Sequence, residues 1–241
     1  KLDKARNVKK VSNIEKELRL VEEGTDIILS EKQKEAIRAI NDNNVTIITG
    51  GPGTGKTTII KSIIEIYKQK KYKIVLCAPT GRAAKRMSET TGEEASTLHR
   101  LLEIGKVDEE SLFKKDNEYQ GAPIDGDIII VDEVSMVDMF IMSYLLDCIY
   151  QGTKLILVGD SDQLPSVGPG SVLKDLIASE KIVTVHLDKI FRQAAKSKII
   201  VNAHRVNNGK GFISKEDPEL EEDANQDFFF IKENNQEKIL K

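Results

Sequence analysis

Eight residues, Gly50-Gly51-Pro52-Gly53-Thr54-Gly55-Lys56-Thr57, separate a β-branched apolar run from an amphipathic one. Val45 to Thr49 reads as a short buried strand, and from Lys56 to about Lys70 the apolar residues recur at helical spacing. A strand handed straight to a helix through a glycine-rich turn has few backbone paths open to it. With no side chains in the way, successive N–H groups can converge on one small anion. The first turn of the helix adds the positive end of its dipole. The turn is therefore shaped for the phosphates of a nucleotide. Lys56 would set its ammonium against the β- and γ-oxygens, and the Thr57 hydroxyl would ligate Mg²⁺. A plain glycine turn between strand and helix is the alternative reading of the same residues.

The rest of the chain repeats the strand–helix alternation. Lys73 to Ala78, Asp127 to Val131, Lys154 to Val158 and Ile182 to Leu187 read as strands. Helical spacing is expected over Gly81 to Glu89, Ser96 to Leu102, Val137 to Ile149 and Ser171 to Ser179, and Ser30-x-x-Gln33 has the form of a capping box before another helix. Glu103 to Gly126 has no clear period and reads as a surface excursion. Runs that are apolar on both faces and alternate with helices imply an α/β fold, a mostly parallel sheet covered on each side. After Leu187 the pattern changes to a helix at Ala194 to Val206, an acidic stretch, and a lone strand at Phe228 to Ile231.

Length and charge narrow the reading less. The 241 residues suffice for one large domain or a domain and part of a second. The first residue is Lys1, not Met, and the chain is expected to be a piece of a longer protein. No apolar run approaches the roughly 18 residues that span a bilayer, so no membrane partner is expected and the location is expected to be cytoplasmic. Cys77 and Cys148 stand alone in apolar segments, as buried reduced thiols would. The net charge of −3 hides an uneven spread, because Glu216 to Asp227 holds seven acids and no base. Without that stretch the chain is positive, so the sum does not decide whether nucleic acid is a partner.

A second motif completes the first. Ile128 to Val131 delivers Asp132 and Glu133 at a strand end. Asp132 would hold the Mg²⁺ shell through water, and Glu133 would orient and deprotonate the attacking water, which favours hydrolysis over kinase chemistry. Gln163, in the stretch Gly159 to Pro165, offers an amide to the γ-phosphate or the lytic water. Pro79, Thr80 and Arg82, with Thr97 and His99, follow the second strand and carry hydroxyl and cationic groups suited to a sugar-phosphate backbone. Each of these stretches also reads as an ordinary capped loop, and His99 as a structural histidine.

Taken together, the stretches Thr49 to Thr58, Ala78 to Arg86, Glu94 to Leu102, Val131 to Asp138, Gly159 to Gly170 and Ile190 to Gln193 resemble the superfamily 1 helicases, most of all the RecD-like branch. The similarity runs from about Ser30 to Gly209, and Gly159 to Gly170 is its most specific part. The resemblance implies a RecA-like three-layer P-loop NTPase domain and an ATP-driven motor moving 5′→3′ on single-stranded DNA. By position it implies that Gln33 reads the adenine edge and that Gly51, Pro52, Gly53, Thr54, Gly55, Lys56, Thr57 and Thr58 bind the nucleotide. Thr57 and Asp132 would hold the metal. Lys56, Glu133, Gln163 and Arg192 would be catalytic, with Arg192 an arginine finger and Gln163 coupling phosphate state to DNA grip. Pro79, Thr80, Arg82, Thr97 and His99 would contact DNA. A helix cap is the plain alternative for Gln33, and a surface arginine for Arg192.

The organisation this implies is a linker or the end of a preceding helical domain over 1–29, a first RecA-like domain over 30–188, and the beginning of a second over 189–241. Later motifs of the family, in the remainder of that second domain, are missing. The chain alone is therefore expected to bind nucleotide weakly and hydrolyse it slowly or not at all. The missing second domain is an expected partner, as are single-stranded-DNA-binding or recombination proteins. A protein-remodelling ATPase switch and a nucleotide-gated DNA-binding module without catalysis remain the rival classes.

Overall fold

The computed structural model describes residues 9–25, 27–104, 123–191, 196–213 and 227–228. The chain divides into two units, one of Lys1–Gly51 with Gly55–Asp188, the other of Pro52–Thr54 with Lys189–Lys241.

In the first unit, six strands form one sheet in which every described pair is parallel: β1 (Val45–Gly50), β2 (Ile74–Ala78), β3 (Ala95–Thr97), β4 (Ile128–Val131), β5 (Lys154–Gly159) and β6 (Val183–Leu187). Their order is β3-β2-β4-β5-β1-β6. The helices are α1 (Ile14–Thr25), α2 (Glu31–Asp42), α3 (Lys56–Gln69), α4 (Gly81–Thr91), α5 (Leu98–Leu101), α6 (Met139–Cys148) and α7 (Val172–Ala178), and a 3₁₀ turn spans Val134–Met136. Side chains along the strands alternate between two cores. Ile48, Ile128, Ile130, Ile156 and Val158 join α1, α2 and α3 in one, and Ile47, Ile129, Val131, Leu155 and Leu157 join α6 in the other. This is the three-layer α/β architecture that the both-sided apolar runs predict.

One assignment is corrected. Ser96 to Leu102 is not a single helix, because Ala95–Thr97 pairs with β2 as an edge strand and only Leu98–Leu101 is helical. Three residues are too few to show a period of two, and Thr97, which caps α5 by accepting from Arg100 N (3.2 Å), gives the segment a helical look. Ahead of the sheet, α1 packs on α3, and Asn41 holds the Val11 backbone by accepting from its N–H (2.7 Å) and donating to its carbonyl (3.1 Å).

The second unit carries α8 (Lys198–Asn207); of the helix expected over Ala194 to Val206, Lys196 and Ser197 are not helical, and Ala194 and Ala195 lie outside the described residues. Ser197 caps it, and the buried Asn202 accepts from Ile213 N (2.7 Å). Within this unit Phe191 N donates to Gly53 O (3.1 Å). Phe228 is not in a strand, and the rest of the strand expected at Phe228 to Ile231 lies outside the described residues, as does most of the acidic stretch.

Candidate functional site

Parallel register puts the C-terminal ends of the strands along one edge of the sheet, and every candidate residue described in the first unit stands there or just beyond. β1 ends at Gly50 and opens into the glycine loop, and α3 begins at Lys56. Gly53 (φ 75°) and Gly55 (φ 85°) adopt left-handed backbone that a side chain would strain, which is why these two positions are glycine. Lys56 folds back over the loop, donating to Gly50 O (2.6 Å) and Gly51 O (3.0 Å). Gln33, fully buried, both closes the capping box with Ser30 and donates from Nε2 to Gly55 O (3.4 Å). The cap and the position beside the loop therefore coexist in one side chain.

β4 delivers Asp132 and Glu133, but β5 lies between β4 and β1. At about 4.8 Å per strand the acids start about 10 Å from the loop's strand. The interval is filled by Asp160, at the end of β5 and 3% exposed. Asp160 falls inside the stretch Gly159 to Pro165, where nothing local in the sequence shows that it is buried. It accepts from Asp162 N (3.0 Å) and from the Gln163 amide (3.4 Å), while Ser161 N donates to the buried Thr49 hydroxyl (3.1 Å). Gln163, itself exposed, is thereby tethered to the loop's neighbour strand.

The charges converge. Burial lowers the pKa of Lys56, and Asp160, Glu133 and Asp132 act against that fall by favouring the ammonium. Burial raises both carboxyls above the ordinary range; the neighbouring Asp132 charge raises Glu133 further, while Lys56 and Arg86 pull both down. Arg86, an exposed residue of α4, was likewise not singled out from sequence. Glu133 itself sits at φ 54°, ψ 41°, left-handed backbone that costs a non-glycine residue on the order of 1 kcal/mol or more. Its N–H donates to the Asp132 carboxylate (2.9 Å). A cation among three partly or wholly buried acids beside a glycine turn can exchange carbonyl partners for phosphate oxygens. Asp132 and Thr57 carry oxygen donors of the kind a hard divalent ion takes; among the described residues no group of three or more His, Cys, Asp or Glu is placed to hold a metal.

The candidate DNA contacts lie at the ends of β2 and β3. Thr80 caps α4 by accepting from Ala83 N (3.2 Å), and Thr97 caps α5. Capping uses a hydroxyl's lone pair and leaves its O–H to donate. Arg82 and His99 are exposed, and Pro79 is half-buried. Arg192 lies outside the described residues. Among the described residues no helix is long and apolar enough to cross a membrane.

Residues 33–169 match the family described as AAA domain. The chain is 41% identical over 182 residues to the ATP-dependent RecD2 DNA helicase of Deinococcus radiodurans, covering 76% of this chain and 24% of that protein. It is 40% identical over 164 residues to the RecBCD enzyme subunit RecD of Buchnera aphidicola, covering 60% of this chain and 26% of that one. The chain thus spans about a quarter of the length of these relatives. In fold it is similar to a structure of Pif1 helicases on forked double-stranded DNA, with TM-score 0.55 and 23% identity over 79% of this chain and 50% of that one.

Proposed function

The chain belongs to the AAA domain family and, within it, to the RecD-like branch of superfamily 1, and from that membership we propose that it is the ATP-binding motor domain of a DNA helicase. The observation that carries the reading is the Lys56 ammonium, seated on the Gly50 and Gly51 carbonyls and drawn toward Asp160, Glu133 and Asp132. ATP is the substrate. Its β- and γ-oxygens take Lys56 from those carbonyls, the loop amides from Gly51 to Thr58 bind the remaining phosphate oxygens, and Gln33 meets the adenine edge. Thr57 and Asp132 would hold Mg²⁺, whose charge would offset that of the phosphates. Glu133, a stronger base for its raised pKa, takes the proton of the attacking water. Gln163, tied to Asp160, orients that water and couples its position to the loop. Arg192 serves as the arginine finger.

Single-stranded DNA runs over Pro79, Thr80, Arg82, Thr97 and His99, with movement 5′→3′. A second RecA-like domain, begun at 189–241, completes the site, so the chain alone turns over slowly or not at all. Recombination or single-strand-binding proteins are the proposed partners and the cytoplasm the proposed location. The test is ATP hydrolysis by the whole protein with and without single-stranded DNA, and unwinding of 5′-tailed against 3′-tailed duplexes. DNA stimulation lost in Lys56→Ala and Glu133→Gln supports the motor. Hydrolysis indifferent to DNA refutes it.

A further inference from the structure

One loop holds both ends of the segment 134–139, which directly follows Glu133. The loop leaves β5 at Gly159 and runs to Gly170. At its start, a Cβ on Gly159 would lie 3.3 Å from the backbone nitrogens of both Val134 and Ser135. The 3₁₀ turn after Glu133 therefore rests directly on the end of β5. At the loop's far end, Pro169 O accepts from Met139 N (2.9 Å), and a Cβ on Gly168 would come within 2.8 Å of Asp138 Cβ and Cγ. Asp138 in turn caps α6, accepting from Ile141 N (2.9 Å). Directly before the first seam Glu133 is in left-handed backbone, and between the seams Met136 N and Val137 N donate back to Glu133 O and Val134 O (3.0 Å each). A strained conformation persists only where its surroundings over-determine it. The Ser135 hydroxyl gives no help, being buried with no hydrogen-bond partner among the described residues. Backbone packing at the seams does the holding.

We propose that the loop from Gly159 to Gly170 is a clamp that sets Glu133, with Gly168 and Asp138 as positioning residues. They touch neither substrate nor metal. They act through the backbone of residues 134–139, and the proposal rests on the reading of Glu133 as the base. The clamp gives loop movement a route to catalysis, because neither seam has room to shift without carrying the segment along. Gly168 needs no left-handed backbone, since its φ is not among the positive values. The three atoms nearest to an alanine Cβ there all belong to Asp138.

The test uses the whole protein carrying Gly168→Ala, alone and with Asp138→Gly. Glycine removes every Asp138 atom that meets the new methyl and is itself an accepted N-cap residue. Three quantities are read: affinity for a fluorescent ADP analogue, the single-turnover rate of ATP hydrolysis, and hydrogen exchange at the Met136, Val137 and Met139 amides. Gly168→Ala is expected to leave affinity within about twofold and to slow hydrolysis about 10- to 100-fold, the scale of a misplacement near 1 Å. Exchange at the three amides should quicken. Asp138→Gly in the same chain should restore both rate and exchange. Unslowed hydrolysis, affinity lost in step with rate, or no rescue by Asp138→Gly would each overturn the clamp. Hydrolysis by the unsubstituted protein no faster than by Lys56→Ala would instead remove the ATPase reading, and the catalytic part of the clamp with it. The exchange measurement needs no turnover, so the two failures are told apart.

Discussion

Replacing Lys154 by methionine should destabilise the first unit by about 2–6 kcal/mol, although Lys154 stands at the opposite end of β5 from Asp160. The side chain is fully buried at the start of β5, and its ammonium donates to Ile40 O (2.8 Å), Asn41 O (3.1 Å) and Asn43 O (2.7 Å). Those carbonyls close the end of α2, where intrahelical donors have run out. Three bonds from a charged donor are worth about 5–9 kcal/mol together. Against that stands the cost of burying the charge, which lowers the pKa from 10.5 to about 8, about 3 kcal/mol. Methionine has similar length and recovers the second quantity while losing the first. Urea unfolding of the chain at pH 7 measures the difference. The pH dependence supplies an independent check. Below pH 8 folded and unfolded chains both hold this proton, and between about 8 and 10.5 only the unfolded chain does. The contribution of Lys154 to unfolding free energy therefore rises with pH through that window. The gap between wild type and Lys154→Met should widen across it. A change under about 0.5 kcal/mol, typical of an unremarkable surface substitution, or a gap that stays constant from pH 7.5 to 10, would refute the account.

Other substitutions test the site itself. Gly55→Ala forces a side chain into φ 85° at the start of α3; it should cost about 1 kcal/mol of stability and weaken nucleotide binding, both read by ligand-dependent unfolding. Glu133→Gln should keep nucleotide affinity while slowing hydrolysis about 100- to 10,000-fold in single turnover. Arg82→Ala, on an exposed side chain, should weaken single-stranded DNA binding for all sequences alike and reduce the slope of log affinity against log salt by about 1 in a fluorescence titration. Thr80→Val removes the α4 cap and should cost about 1 kcal/mol in urea unfolding.

Much of this protein is written locally. The glycine loop, the strand before it and the helix after it are visible because each depends on neighbours a few residues away. The capping box at Ser30 and Gln33 was legible for the same reason, and both of its bonds are present. The boundaries of α3, β2, β4 and β5 fall within about two residues of where periodicity places them. The three-residue strand β3 was not legible, because its identity comes from pairing with β2 and from no pattern of its own.

What the amino-acid order determined by itself was the inventory: which segments are strands, which strand-to-helix turn is glycine-rich, which acids stand at a strand end. Tertiary structure decided who faces whom. It inserted β5 between β1 and β4, and so made Asp160 a buried neighbour of Lys56. It brought Lys154 to carbonyls more than a hundred residues away and pressed Gly168 against Asp138. The physical reason is that periodicity encodes which face of an element is apolar, whereas strand order and close backbone approach arise only when all the faces are packed at once.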